Sequence, residues 1–181
     1  MGENGHSGGG GKLGVLLAIY DFPMVNIGLR TVIDAETDMH VIGEADSRES
    51  MLGQLEHAKV DLVITECLLQ REGGRTSIEA IEAIRASGHG AKVLVLACQN
   101  SSEHFSLALK AGADGFLTRE AQPVDIASAI RCIGRGHWDD QAEKLFSRHQ
   151  MKQAWYNKSE LLNHVSSRME LNYAPGKSER P

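Results

Sequence analysis

Five short apolar runs alternate with five segments of helical spacing along the chain, and this alternation limits the fold more than any other feature of the sequence. The runs are nearly continuous in apolar residues, which is typical of strands buried on both faces of a sheet. They cover residues 13–20, 39–45, 60–66, 92–97 and 115–118. The first helical segment begins at Pro23, and the others cover residues 48–56, 77–86, 102–111 and 124–134. This alternation predicts an α/β fold of the (βα)5 type, a doubly wound parallel sheet with helices on both faces.

The loops after the strands are where such a fold carries its chemistry. Ligands bind beyond the carboxyl ends of the strands, so the positions to consider follow Tyr20, Glu66, Ala97 and Thr118. No GxGxxG or GxxxxGKS/T motif follows any of the runs, which argues against a nucleotide-binding version of the fold.

The composition favours a cytoplasmic protein without a membrane span. No apolar run approaches the roughly 18 residues of such a span, and the start of the sequence lacks a signal-peptide pattern. The formal net charge of −5 argues against broad nucleic-acid binding. Three cysteines, Cys67, Cys98 and Cys132, are expected to be reduced thiols, and the eight histidines show no metal-ligand spacing.

Composition also divides the chain into four parts. Residues 1–11 are rich in glycine and are expected to form a flexible arm. Residues 12–136 hold the alternating pattern, 137–172 are expected to form a helical extension, and 173–181 a polar tail.

Several motifs are specific for one family of this class. They are LAIYDFPMVNIGLR at 17–30, VIGEA at 41–45, VDLVITE at 60–66, VLVL at 93–96, KAGADGFL at 110–117 and the segment 126–136. With this spacing, the chain from about residue 13 to 136 resembles the receiver domains of NarL/FixJ (LuxR-type) response regulators. The resemblance implies a flavodoxin-like sheet with strand order 2-1-3-4-5.

The resemblance also implies a phosphorylation pocket. In this family two acids follow the first strand, a phospho-accepting aspartate the third, Thr or Ser the fourth and Lys the fifth. The matching positions here are Tyr20, Asp21, Glu66, Ala97 and Arg119, so only Asp21 keeps the family residue. Tyr20 removes one Mg²⁺-binding charge, and Glu66 places its carboxylate about 1.5 Å further from the backbone than aspartate would. Ala97 removes the hydroxyl group. We therefore predict an atypical member that is not phosphorylated, needs no cofactor, binds Mg²⁺ poorly at best and is not an enzyme.

Two readings of the changed pocket stay open. Glu66 and Arg119 form either a simple ion pair or a pair that imitates the phosphorylated state and fixes the surface around the fourth helix, fifth strand and last helix. Phe116, where the family carries its switch aromatic, is either held inward above Ala97 or a plain core or interface residue.

The extension after residue 136 contains both tryptophans, Trp138 and Trp155. Its apolar spacing predicts two amphipathic helices, the second opened by a capping box of Asn157 and Glu160. Residues 162–167 (LNHVSS) resemble the recognition helix of the DNA-binding domain found in NarL/FixJ-type regulators. This resemblance makes Asn163, His164 and Ser167 candidate contacts to DNA or a partner. The alternative is that these helices pack on the receiver or on a partner subunit.

The leading functional hypothesis is a phosphorylation-independent regulator in bacterial two-component signalling and transcription. It would act through protein–protein contacts, as a homodimer and with a regulatory protein partner. Two alternatives remain: a DNA-binding transcription factor using the C-terminal helices, and a small-molecule sensor with a ligand near Asp21, Glu66 and Arg119.

Overall fold

A computed structural model describes residues 11–67, 77–97, 102–118 and 120–135, and five strands alternate with five helices in these ranges. In chain order they are β1 (Leu13–Ala18), α1 (Pro23–Asp34), β2 (Met39–Glu44), α2 (Arg48–His57), β3 (Leu62–Cys67), α3 (Ser77–Ala86), β4 (Lys92–Ala97), α4 (Ser102–Ala111), β5 (Gly115–Thr118) and α5 (Pro123–Arg135). All paired strands are parallel, and their order is β2-β1-β3-β4-β5. The structure confirms the predicted fold class and strand order.

The central strands form the core because helices cover both faces of the sheet. Every residue of β1 is buried, and so is every residue of β4 except the first. Helices α1 and α5 contact each other on one face, while α2, α3 and α4 form a contiguous row on the other. This arrangement explains why the strands read as continuous apolar runs instead of alternating polar and apolar residues.

Three strands differ from their predicted bounds, β2 only in that it ends at Glu44 instead of residue 45. β1 ends at Ala18 instead of residue 20, since the Ile19 carbonyl accepts from the Asn26 side chain. β3 runs from Leu62 to Cys67 instead of from residue 60 to 66, and the Asp61 carboxylate just before it accepts from the Gly14 backbone N–H. Apolar character alone does not reveal either interaction.

Gly112 ends α4 as the sequence predicts. Its φ of +105° lies in the left-handed region, and the following N–H, of Ala113, donates to the Ala108 carbonyl at 2.9 Å. This bond satisfies a terminal carbonyl of the helix and turns the chain into β5.

Several predicted features lie outside the described residues. They are the glycine-rich arm, Cys98, Arg119, the helical extension with Asn163, His164 and Ser167, and the polar tail. Among the described residues no helix is long and apolar enough to cross a membrane.

Candidate functional site

The loop between β1 and α1 carries the first two candidate residues, Tyr20 and Asp21. This loop is held from below by Asn26, a buried residue in the first turns of α1 whose Nδ2 donates to the Ile19 carbonyl at 3.1 Å. Asp21 is exposed and Tyr20 is half-buried. The loop therefore leaves the sheet at a fixed point, with the Tyr20 backbone N–H directed at the neighbouring strand.

Glu66 lies on β3, directly beside that loop. The register pairs Ala18 with Thr65, which brings the ends of β1 and β3 together. Glu66 is only 1% exposed, and its Oε1 accepts a hydrogen bond from the Tyr20 backbone N–H at 3.2 Å. The extra methylene of glutamate thus folds the carboxylate back onto the adjoining loop, away from solvent.

The Tyr20 phenol extends towards α2. Its hydroxyl lies 3.6 Å from the sulfur of Met51, a buried residue of that helix. A neutral phenol in contact with a thioether supplies no charge for a metal ion or a phosphoryl group. The Tyr20 side chain therefore packs against Met51, whereas a carboxylate at this position could bind a metal ion.

Ala97 and Phe116 lie on the other side of Glu66, on β4 and β5. Ala97 is buried and pairs with Cys67 on β3 and Thr118 on β5. Phe116 is 2% exposed, and its ring meets that of Phe105 on α4 edge-to-face, with centroids 5.3 Å apart and planes at 85°. The geometry is a favourable aromatic pair, which holds the Phe116 ring beneath α4.

The remaining candidates cannot be placed. Arg119, Asn163, His164 and Ser167 lie outside the described residues, so the Glu66–Arg119 pair and the proposed DNA or partner contacts stay predictions. The structure brings Tyr20 and Glu66 into direct contact and places Ala97 at the end of the next strand along.

The sequence interpretation missed two arginine-centred clusters at the opposite end of the sheet. Arg85 on α3 donates to the carbonyls of Gly112 and Ala91 and pairs with Asp114. Arg131 on α5 forms a second cluster with acidic residues of the turn before β2. Both clusters join elements at the amino ends of the strands, far along the chain from each other, so no local motif could have revealed them.

Metal ligands are sparse in the described residues: within 11–67, 77–97, 102–118 and 120–135, no three His, Cys, Asp or Glu side chains are grouped to hold an ion. The acids at the carboxyl end of the sheet that the sequence singled out are Asp21 and Glu66. Of these, Glu66 already accepts a backbone hydrogen bond.

Comparison with known proteins places this geometry in context. Residues 16–131 match the family described as "Response regulator receiver domain". The chain is 33% identical over 125 residues to the uncharacterized transcriptional regulatory protein YxjL of Bacillus subtilis, covering 69% of this chain and 56% of that protein. It is 28% identical over 121 residues to the nitrate/nitrite response regulator protein NarL of Escherichia coli, covering 67% and 55%. The chain therefore spans about half the length of these relatives.

A solved structure shows the same fold. The signal receiver domain of a response regulator called NarL from Mycobacterium tuberculosis superposes with a TM-score of 0.63 at 21% identity. The match covers 70% of this chain and 99% of that domain.

Proposed function

The chain belongs to the response regulator receiver domain family, and we propose that it is an atypical member that regulates transcription or signalling without being phosphorylated. It acts through protein–protein contacts in the bacterial cytoplasm, as a homodimer that engages a regulatory protein. This proposal concerns the described domain, because the matched part of the chain covers only 56% and 55% of these two relatives.

The hydrogen bond from the Tyr20 N–H to Glu66 Oε1 carries the proposal. Phosphotransfer to a receiver requires an exposed carboxylate that attacks a phosphodonor in line. Glu66 occupies that position on β3, yet it is buried and directed at the β1–α1 loop. Displacing a reacting group by about 1 Å can lower the rate of a reaction between positioned groups on the order of 100-fold. A buried and redirected carboxylate is a still poorer nucleophile.

The residues present do not fit the Mg²⁺ ion that phosphotransfer uses in this family. Mg²⁺ requires several hard oxygen ligands in octahedral geometry. Tyr20 offers a phenol directed at Met51, and Glu66 offers a carboxylate whose Oε1 accepts the Tyr20 N–H. Asp21 alone keeps an exposed carboxylate at the family position. We therefore derive no step through a metal ion and assign the domain no cofactor and no catalytic activity.

The position of Phe116 supports the proposal that the domain acts through protein–protein contacts. In the family this aromatic residue moves inward upon activation, and here its ring is buried against Phe105. Ala97 offers no hydroxyl whose movement would control the ring. We propose that the surface formed by α4, β5 and α5 is held in one conformation, which the dimer or the partner protein recognises.

Labelling with a small phosphodonor tests the proposal. The intact chain is incubated with Mg²⁺ and acetyl phosphate, and the covalent phosphate is measured by intact mass. We expect no incorporation in the wild type or in Glu66→Asp. The matched control is the fourfold variant Tyr20→Asp, Glu66→Asp, Ala97→Thr and Arg119→Lys, in which incorporation should return. Stoichiometric phosphate on the wild-type chain would overturn the proposal.

A second candidate is direct binding to DNA, which the name of one relative, a transcriptional regulatory protein, favours. The residues proposed for it are Asn163 and His164, outside the described part of the chain. Band shifts with genomic fragments at a fixed salt concentration separate the two candidates. Loss of a shifted band in Asn163→Ala and His164→Ala, but not in Ser106→Ala on α4, would favour DNA contact.

A further inference from the structure

One peptide group of the β1–α1 loop is held from two directions by buried side chains. The Ile19 carbonyl accepts from Asn26 Nδ2 at 3.1 Å, and the Tyr20 N–H donates to Glu66 Oε1 at 3.2 Å. This carbonyl and this N–H belong to the same peptide unit, here named the Ile19–Tyr20 peptide. Asn26 is 6% exposed and Glu66 1%, so both side chains that hold the peptide are shielded from solvent.

The geometry of a peptide unit couples these two hydrogen bonds. A trans peptide is planar, and its C=O and N–H point in opposite directions. A rotation of the plane that misaligns one hydrogen bond therefore also misaligns the other. The two bonds also strengthen each other, because a carbonyl that accepts a hydrogen bond polarises the N–H of the same amide. Glu66 on β3 is thereby linked to Asn26 on α1 through the peptide between them.

The amide of Asn26 is costly at its position, which shows what it provides. The buried residues of α1 are Asn26, Leu29 and Ile33, so the amide lies on the otherwise apolar inner face of the helix. Its Oδ1 is buried and accepts no hydrogen bond within the described part of the chain. An unsatisfied buried oxygen destabilises the folded state, whereas an apolar side chain would not. The hydrogen bond to the Ile19 carbonyl is what the amide offers in return.

This bond also ties the start of α1 to the end of β1. Phe22 occupies the N-cap position and makes no side-chain capping hydrogen bond to the helix. The first two turns carry Met24, 77% exposed, and Ile27, 59% exposed. They are two of the three large hydrophobic side chains that are exposed in the described residues. The position of this exposed apolar surface therefore depends on the hydrogen bond from Asn26.

We infer that the Ile19–Tyr20 peptide is a relay that couples the direction of the Glu66 side chain to the position of the first two turns of α1. Asn26 is the positioning residue of this relay, because it orients the peptide whose N–H holds Glu66. Loss of the acceptor at residue 66 should release the peptide, weaken the Asn26 bond and displace Met24 and Ile27. The inference goes beyond the proposed function and is independent of it, since its tests use no phosphodonor.

Hydrogen exchange of the Tyr20 amide tests the relay from the side of Asn26. The full-length chain is labelled with nitrogen-15, and amide exchange is followed by NMR. Asn26→Ala should speed exchange at Tyr20 by about tenfold, although residue 26 does not bond that N–H, while amides inside β1 keep their rates. Asp61→Ala is the matched control, because Asp61 accepts from the Gly14 N–H at the other end of β1. It should speed exchange at Gly14 and leave Tyr20 unchanged.

A pair of substitutions at residue 66 tests the relay in the other direction. Glu66→Gln and Glu66→Met both remove the charge and keep a side chain of similar length. Only Glu66→Gln retains an oxygen acceptor for the Tyr20 N–H. We expect Glu66→Met to shift the backbone amide resonances of Met24 and Ile27, and Glu66→Gln to leave them close to the wild type.

Two outcomes would overturn the inference. An unchanged exchange rate at Tyr20 in folded Asn26→Ala would show that the two hydrogen bonds are independent. Equal shifts of Met24 and Ile27 in Glu66→Gln and Glu66→Met would show that the acceptor at residue 66 does not control the start of α1. The unchanged rates inside β1 establish that each variant is folded, and if Asn26→Ala does not fold, the pair at residue 66 decides.

Discussion

Arg131 on α5 holds Asp38 with two hydrogen bonds, from Nε to Oδ2 and from Nη2 to Oδ1, each 2.9 Å long. Arg131 also pairs with Glu36, and Arg135 donates to the Asp38 carbonyl. The same carbonyl accepts from the N–H of Leu13 at the start of β1. The pair therefore joins the last helix to the turn before β2 and to the first strand, across 93 residues of sequence.

The first prediction concerns the stability that this bidentate pair provides. Arg131→Met keeps an unbranched, mostly apolar stem but removes the guanidinium group with its five donors. We expect it to lower the free energy of unfolding by about 1–2 kcal/mol, since the pair is charged and half-exposed. The matched control is Arg30→Met, whose ion pairs with Glu44 and Asp34 are more exposed. It should cost less than about 1 kcal/mol. Urea unfolding measures both variants, and an equal loss of unfolding free energy in Arg131→Met and Arg30→Met would contradict this prediction.

The second prediction is the pH dependence of that contribution. The hydrogen bonds from Arg131 hold the pKa of Asp38 below its ordinary value of 3.8. A depressed pKa means that the folded state binds the proton less readily than the unfolded state, so the contribution is complete above the unfolded pKa and is lost as the pH falls through the folded pKa.

The stability difference between the wild type and Arg131→Met should therefore be constant near neutrality and shrink below about pH 4. Urea unfolding at a series of pH values measures it. In Asp38→Asn, which lacks the titrating group, the residual effect of Arg131→Met should depend much less on pH. A difference that grows in acid would have the wrong sign.

The third prediction concerns the close approach of β5 and α5. A Cβ on Gly115 would lie 2.2 Å from Ile133 Cδ1, and Ile133 is buried. Gly115→Ala should therefore lower the free energy of unfolding by about 1–3 kcal/mol through overpacking. Ile133→Val removes the clashing methyl group, and alone should cost about 0.5–1.5 kcal/mol. The double variant Gly115→Ala/Ile133→Val should lose less unfolding free energy than the sum of the two single losses. Strictly additive losses would show that the contact between residue 115 and Ile133 Cδ1 does not limit packing.

The fourth prediction separates two glycines by their backbone conformation. Gly112 has a φ of +105°, and its added Cβ would lie 3.0 Å from Arg85 Cγ. Gly112→Ala should cost about 1–2 kcal/mol. Gly53 lies within α2, and a Cβ built on it would meet nothing within 4 Å. Gly53→Ala should therefore raise the free energy of unfolding by about 0.5–1 kcal/mol. Thermal unfolding of both variants gives the comparison, and stabilisation by Gly112→Ala would contradict it.

Much of the fold is predictable from the sequence, because local signals mark most of its elements. The bounds of α3, β4, α4 and β5 agree with the prediction, and Gly112 ends α4 as expected. Apolar periodicity and chain-turning residues are both local, so they can be read without knowing the partners of each segment.

The candidate site is predictable in its position but not in its contacts. Parallel strands bring their carboxyl ends to one edge, which places Tyr20, Glu66 and Ala97 together whatever their side chains do. The bend of Glu66 towards the Tyr20 N–H, and the direction of the phenol towards Met51, depend on three-dimensional packing. The same holds for Arg131 and Asp38, whose partnership no spacing rule encodes.

The last prediction is that Phe116 does not respond to a phosphoryl mimic. Its ring is already buried against Phe105, and it lies on the same face of β5 as Thr118, which pairs with Ala97. In a switching receiver the ring follows a hydroxyl at the end of the fourth strand; Ala97 has none. The chain contains four phenylalanines, so fluorine NMR of the chain made with fluorophenylalanine resolves this ring, assigned through Phe116→Leu. Beryllofluoride with Mg²⁺ should leave its resonance unchanged in the wild type. A new resonance in the wild type, absent in Glu66→Gln, would show a pocket that still binds the mimic and a ring that still moves.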